Sequence, residues 1–232
     1  MRENKEIGGR EREVQVPIKG WRTISGDLTV VEGAEGIVVF AHGSGSSRLS
    51  PRNRYVAQIL QEKGLATFLV DLLTPTEESI DAVSRNLRFD IKLLTDRVIS
   101  AVRWIRQEDE TSRLRIGCFG SSTGAAAALS GAARLPGDVS AVVSRGGRPD
   151  LADRDLAGVK ASTLLIVGGD DSVVIELNCE AMAKLACEKE MVVVPGAGHL
   201  FEEPGKMEQV AEAAGEWFVK HLIGQPVGGR RV

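Results

Sequence analysis

Cysteine and histidine are scarce in this chain, with three of each among 232 residues. Cys118, Cys179 and Cys187 form neither a C-x-x-C pair nor a cluster with histidine, which argues against a disulfide framework and against a zinc site. Long apolar runs are missing too. The longest, Gly36 to Phe40 and Ala66 to Leu73, are far too short to span a bilayer. Neither sign of charge dominates: 29 Lys and Arg stand against 32 Asp and Glu, a net of −3. That balance gives no reason to expect nucleic acid or an anionic membrane surface as partner. The opening Met1-Arg2-Glu3-Asn4-Lys5-Glu6 is charged with no apolar stretch behind it, so a secretory signal is not expected and the cytoplasm is the default compartment. No internal repeat, low-complexity run or linker divides the sequence. One domain over residues 1–232 is expected, with residues 1–12 and 224–232 as flexible ends.

What is present is alternation of strand-like and helix-like segments. Hydrophobic residues make up 43% of the chain, enough for a substantial core without staples. Glu13 to Ile18 alternates and reads as an edge strand, and Leu28 to Glu32 as a second. Apolar, β-branched runs at Gly36–Ala41, Ala66–Asp71, Leu114–Phe119, Val139–Ser144, Ser162–Val167 and Met191–Val194 suit strands buried on both faces of a parallel sheet. Between them, Ile91, Leu94, Val98, Val102 and Ile105 mark a 3.6-residue stripe, and Met207, Val210, Ala211, Ala214, Trp217 and Phe218 mark another. Tyr55, Val56, Ile59 and Leu60 make a shorter helix that Gly64 can end. The pattern predicts an α/β domain with a mainly parallel central sheet and helices on both faces. In such sheets functional groups gather beyond the carboxyl ends of the strands.

Four strand ends carry suitable residues. Gly120-Ser121-Ser122-Thr123-Gly124 follows a strand and precedes a run of alanines that begins a helix. In a G-x-S-x-G turn the serine is held on a strained strand-to-helix corner, and the glycines let neighbouring backbone pass closely. His42-Gly43-Ser44-Gly45-Ser46-Ser47 follows Val38-Val39-Phe40-Ala41. A dinucleotide-binding loop would need glycine where Arg48 stands, and a Walker phosphate loop would need a Gly-Lys-Ser/Thr that is missing. Leu164 to Gly169 ends in Asp170 and Asp171, either of which could orient a histidine or cap a turn. Gly196-Ala197-Gly198-His199 places a histidine in a loop just past a strand.

In this order the motifs resemble the α/β-hydrolase superfamily, and the compact size resembles its dienelactone-hydrolase-like branch, over roughly Gly36 to Ile223. The resemblance implies a catalytic triad of Ser122, Asp171 and His199. Asp171 is preferred to Asp170 because it fits the family's G-x-x-D-x-x-V spacing from Gly168 to Val174. It also implies an oxyanion hole built from the backbone N–H groups of Ser44 and Thr123. His42 then serves structural hydrogen bonding, and His221, near the end of the last helix, reads as a cation or a solvated side chain. Dienelactone hydrolases carry cysteine in the nucleophile position that Ser122 occupies here. Cys118, inside the incoming strand, reads as a buried core thiol.

The implied activity is hydrolysis of small carboxylic esters through an acyl-enzyme, with no metal and no organic cofactor. Thioesterase, acyltransferase or peptidase chemistry would use the same triad, and a non-catalytic binding domain could use the same fold. The stretch Leu72 to Glu78 is too short for a large lid domain, so a fairly open site is expected. Arg48, Arg52 and Arg54 follow the glycine-rich loop, and Arg145 and Arg148 follow a strand. Surface charge and helix capping explain such residues in general. The sharper expectation is that Arg48 or Arg145 pairs with a carboxylate or phosphate on the substrate. The expected partner is thus a small-molecule ester, handled by a monomer or a homodimer.

Overall fold

A computed structural model describes residues 9–223. The expected flexible end at 224–232 lies outside the described residues, as do residues 1–8. Residues 9–12 are not a flexible lead-in. They belong to β1 (Gly9–Ile18), which pairs antiparallel with β2 (Arg22–Val31). β2 also starts six residues before the expected Leu28. Its first half, Arg-Thr-Ile-Ser-Gly-Asp, lacks an apolar run because only Ile24 there is driven into the core, and pairing with β1 holds the rest.

The remaining strands are β3 (Gly36–Ala41), β4 (Ala66–Val70), β5 (Arg115–Ser121), β6 (Val139–Arg145), β7 (Ser162–Gly168) and β8 (Lys189–Val194). They form one eight-stranded sheet in the order β1-β2-β4-β3-β5-β6-β7-β8. β1–β2 and β2–β4 are antiparallel, and every other pairing is parallel. The predicted mainly parallel sheet is therefore found, with β1 at its edge.

Alternation along β3 assigns the two faces. Ile37, Val39 and Ala41 pack with the stripe of α3 (Ile91–Gln107) and with α4 (Thr123–Arg134), while Val38 and Phe40 pack with α1 (Pro51–Glu62) and α7 (Lys206–Leu222). α4 carries alanine at 125–128 and glycine at 124 and 131, and it is buried almost all round. Small side chains let it lie close against β5, whose end it continues. α5 (Asp153–Leu156) and α6 (Ser172–Lys184) complete the connections around β7.

Three helices were not anticipated, the two around β7 and one more after β4. α2 (Pro75–Ser84), followed by a 3-10 turn at Leu87–Phe89, occupies the stretch after β4. Its start is fully specified locally. Thr74 accepts from the Glu77 N–H, the Glu77 carboxylate accepts from the Thr74 N–H, and Pro75 sits where no donor is needed. Glu77 is buried and also accepts from Arg97, which ties α2 to α3. The helix is a small cover over this edge of the sheet.

Candidate active site

Ser122 stands at the junction of β5 and α4 with φ 49° and ψ −119°. A side-chain-bearing residue rarely adopts this conformation, and it persists only where the surroundings over-determine it. They do so here from three sides. The Ser122 N–H donates to the Arg145 carbonyl at 3.2 Å, the Arg148 N–H donates to the Ser122 carbonyl at 3.1 Å, and the Ser121 hydroxyl donates to Asn53 Oδ1 at 3.0 Å. Both flanking glycines are sterically required. A Cβ on Gly120 would lie 2.4 Å from Ala125 Cα, and one on Gly124 would lie 2.3 Å from the Ala41 carbonyl oxygen.

The loops after β7 and β8 are clasped together. The Gly169 N–H donates to Val194 O and the Asp170 N–H to Ala197 O, and a Cβ on Gly168 would sit 2.4 Å from the latter oxygen. The clasp brings His199 Nδ1 within 2.7 Å of Asp171 Oδ2. Asp171 also accepts from the Val174 N–H as the N-cap of α6, so its carboxylate is fixed from behind. Asp170 turns to solvent. With Nδ1 engaged, the His199 ring has Nε2 left for proton transfer. Ser122 and His199 line one cavity of about 190 Å³, without a direct hydrogen bond between them among the described residues. Such bonds often close only when substrate is bound.

Ser44 and Thr123 are adjacent, their hydroxyls 2.9 Å apart. Thr123 opens α4, so its N–H has no acceptor within the helix. His42 Nε2 accepts from the Leu72 N–H at 3.0 Å, which requires the proton on Nδ1, and that nitrogen lies 2.9 Å from the Gly43 carbonyl. Burial lowers the His42 pKa, against smaller opposing effects of the Gly43 carbonyl and Asp71, so the ring is a neutral brace for the loop.

His221 differs from expectation. Its ring packs 4.5 Å from that of Trp217, and its Nε2 is buried without a hydrogen bond. Burial lowers its pKa, partly opposed by Glu188, so it is neither solvated nor a helix-terminal cation. Cys118 is fully buried in β5, which pushes its thiol up to about 12 and leaves it unreactive.

The two arginines singled out as substrate candidates part company. Arg48 does not line the Ser122 cavity. Its Nε lies 3.0 Å from Asp27, one terminal nitrogen 2.7 Å from Asp71 and the other 3.3 Å from Glu13, so each of its nitrogens faces a carboxylate of the fold. Burial works against this charge, but the bonds to Asp71 and Asp27 outweigh it and hold its pKa above the usual value. Arg145, at the end of β6, lines the Ser122 cavity and is only 6% exposed. It forms no ion pair among the described residues. Burial, and then the like charge of Arg52, lower its pKa to about 10. Arg54 pairs with Asp27, and Arg148 makes two bonds to Asp150. Sequence reasoning missed Asn53, which anchors Ser121 from α1 and carries no motif of its own. Among the described residues no group of three or more His, Cys, Asp or Glu could hold a metal ion, and no helix is long and apolar enough to cross a membrane.

A mainly parallel sheet with a strained serine turn on one strand end and a His–Asp pair on two others is the α/β-hydrolase fold. Within that class the chain belongs to the dienelactone hydrolase family, whose sequence signature matches residues 28–222. A dienelactone hydrolase from Anabaena variabilis is 54% identical and superposes with a TM-score of 0.90, covering 92% of this chain and 99% of that one. Est1E from Butyrivibrio proteoclasticus shares the fold at 14% identity and a TM-score of 0.75, over 90% of this chain and 98% of its own. A Mycobacterium tuberculosis protein with the provisional name phosphoribosyl transferase is 54% identical over 220 residues. That alignment takes in 95% of this chain but 48% of the relative, so the chain spans about half the length of the curated relatives it matches.

Proposed function

We propose that the chain is a serine hydrolase that cleaves small carboxylic esters with Ser122 as nucleophile, His199 as general base and Asp171 as the group orienting it. The observation that carries this reading is the 2.7 Å bond between His199 Nδ1 and Asp171 beside a serine held at φ 49°. His199 Nε2 takes the Ser122 proton as Oγ attacks the carbonyl carbon, and the N–H groups of Ser44 and Thr123 receive the oxyanion. The proton passes to the leaving oxygen, and a water activated by His199 releases the acid. Neither a metal nor an organic cofactor enters these steps. The phosphoribosyl transferase name belongs to a protein twice as long, and the groups around Ser122 suit acyl transfer.

A fluorophosphonate probe followed by peptide mapping tests this. Labelling at Ser122 that vanishes in Ser122→Ala supports it. Labelling at Cys118, or none at all, would overturn it.

A further inference from the structure

Asn178 is an unusual residue for the inner side of α6. It is fully buried, and its Nδ2 donates to two carbonyls, Val174 at 2.7 Å and Gly147 at 3.0 Å. With both acceptors carbonyls, the amide has only one orientation. Oδ1 is then buried without a hydrogen bond among the described residues, a cost that an apolar side chain in this place would avoid. The bond to Val174, one turn back in the same helix, is of a kind that serine or threonine also makes. Only the bond to Gly147 reaches beyond the helix, and it is the one that accounts for an asparagine.

Gly147 lies where the protein is crowded and the chain is loose. After β6 the chain turns through Gly146, at φ 50°, and Gly147. A Cβ on Gly146 would lie 2.9 Å from the His199 carbonyl oxygen, and one on Gly147 would run into Ser144 Oγ and lie 2.7 Å from Ala125 Cβ. Close packing against the His199 loop and α4 therefore demands glycine twice. Two glycines in succession also leave the backbone its greatest freedom. Beyond them the chain is stiff again, since Pro149 follows Arg148 and the Arg148 guanidinium makes two bonds to Asp150. Asn178 supplies the constraint at the loose end.

This loop in turn holds the serine turn. The Arg148 N–H donates to the Ser122 carbonyl at 3.1 Å, and the Ala125 N–H meets the same oxygen at 3.1 Å. The Ser122–Thr123 peptide is trans, so a carbonyl pinned on one side aims the Thr123 N–H to the other. That N–H is one of the two donors assigned to the oxyanion. α6 meets the reaction centre a second time through its N-cap, Asp171, which bonds His199 Nδ1. A single helix thus braces both the base and the oxyanion donor.

Building on the Ser122 reading, we propose that Asn178 is a positioning residue: through Gly147 and Arg148 it fixes the direction of the Thr123 N–H, and it acts on turnover and not on substrate affinity. A misdirected donor weakens the transition state, in which charge gathers on the carbonyl oxygen, far more than the ground state.

Two variants test this. Asn178→Leu keeps most of the volume and removes both bonds, while Asn178→Ser keeps a hydroxyl for Val174 and is too short for Gly147. In each, kcat for a butyrate ester should fall about ten- to a hundred-fold with KM within about twofold, short of the roughly 10²–10³ lost when an oxyanion donor is removed outright. A trifluoromethyl ketone, whose adduct with Ser122 carries the oxyanion, should lose affinity by the same factor as kcat/KM. Both are read well below the melting temperature of each variant, so that lost stability alone leaves kcat in place. An unchanged kcat, or a rise in KM that carries the whole loss, would overturn the proposal.

Should neither variant fold, native-state hydrogen exchange reads the brace in the unmodified protein. The Arg148 amide should be protected as well as those in the middle of β6. Exchange at the rate of an open loop, in a protein that cleaves esters, would overturn the brace alone. A protein that cleaves no ester and is not labelled at Ser122 would overturn the Ser122 reading, and the catalytic role of Asn178 with it.

Discussion

Arg48 and Arg145 look interchangeable in the sequence, each just past a strand or loop on the reactive edge of the sheet, yet they meet opposite surroundings. Arg48 is met nitrogen by nitrogen by Asp27, Asp71 and Glu13, and it holds β2, β4 and the glycine-rich loop together. Arg145 has a like-charged neighbour and an aromatic ring, and no carboxylate among the described residues. An arginine whose counter-charges lie within the fold contributes to the fold. One whose counter-charge is missing contributes to whatever brings that charge in.

The comparison can be broken at its root. If the cavity Arg145 lines is not where the reaction occurs, Ser122→Ala will leave ester hydrolysis intact. The expected outcome is a loss of about 10⁴-fold or more in kcat. Asp171→Asn should cost a similar factor by disturbing the His199 tautomer, while Asp170→Asn stays within about twofold. Equal effects in the two aspartate variants would undo the assignment of Asp171.

Stability sharpens the contrast further, because the two arginines should respond with opposite signs. Arg48→Met leaves Asp71 without its ion pair and Asp27 with Arg54 alone, and should lower the unfolding free energy by about 2–4 kcal/mol in a urea titration. Arg145→Met removes an unpaired buried cation, so the same titration should show no loss, or a gain of about 1 kcal/mol. A loss in Arg145→Met as large as that in Arg48→Met would mean that Arg145 is structural.

The histidines repeat the comparison on a smaller scale, since His199 has a carboxylate while His42 and His221 are sequestered as neutral rings. Both have folded-state pKa values below the ordinary 6.5. As pH falls through that value the unfolded chain takes up protons first. The stability these two rings contribute is therefore complete above about pH 6.5 and drains away towards their lower folded values. The melting temperature should drop between about pH 7 and about pH 5, and His221→Phe should remove part of the slope. A flat profile would mean that neither ring is held neutral. The smallest effect is expected at the cover: Thr74→Ala removes one half of a capping box and should cost about 1 kcal/mol.

Legibility in the sequence followed the range of the interactions. Strands buried on both faces announced themselves as apolar runs, and the four strand-end motifs lay where the sheet needed them. α2 carries a local start signal in Thr74-Pro75-Thr76-Glu77, but it opens no apolar stripe that periodicity would mark. The fate of Arg48 was not readable at all. Its partners stand 21 and 23 residues away, Asp27 on β2 and Asp71 just past the end of β4, and only the sheet order brings them together. Asn53 was hidden for the same reason, 68 residues from the Ser121 hydroxyl it fixes. Asp171 over Asp170 depended on family spacing, and the hydrogen bond to His199 supplies the physical ground for that choice.

The His42 ring joins two things that substrates would otherwise address separately. One nitrogen holds the segment leading into α2, and the other braces the loop proposed to polarise the carbonyl. Such a tie acts as a rigid coupler, because a neutral imidazole can bend neither bond without leaving a buried group unmet. Reshaping the cavity of about 460 Å³ that lies beneath α2 and reaches Ser44 and Thr123 therefore tugs on the glycine-rich loop as well. Chain-length preference in this protein should register as turnover rate, and not as affinity alone.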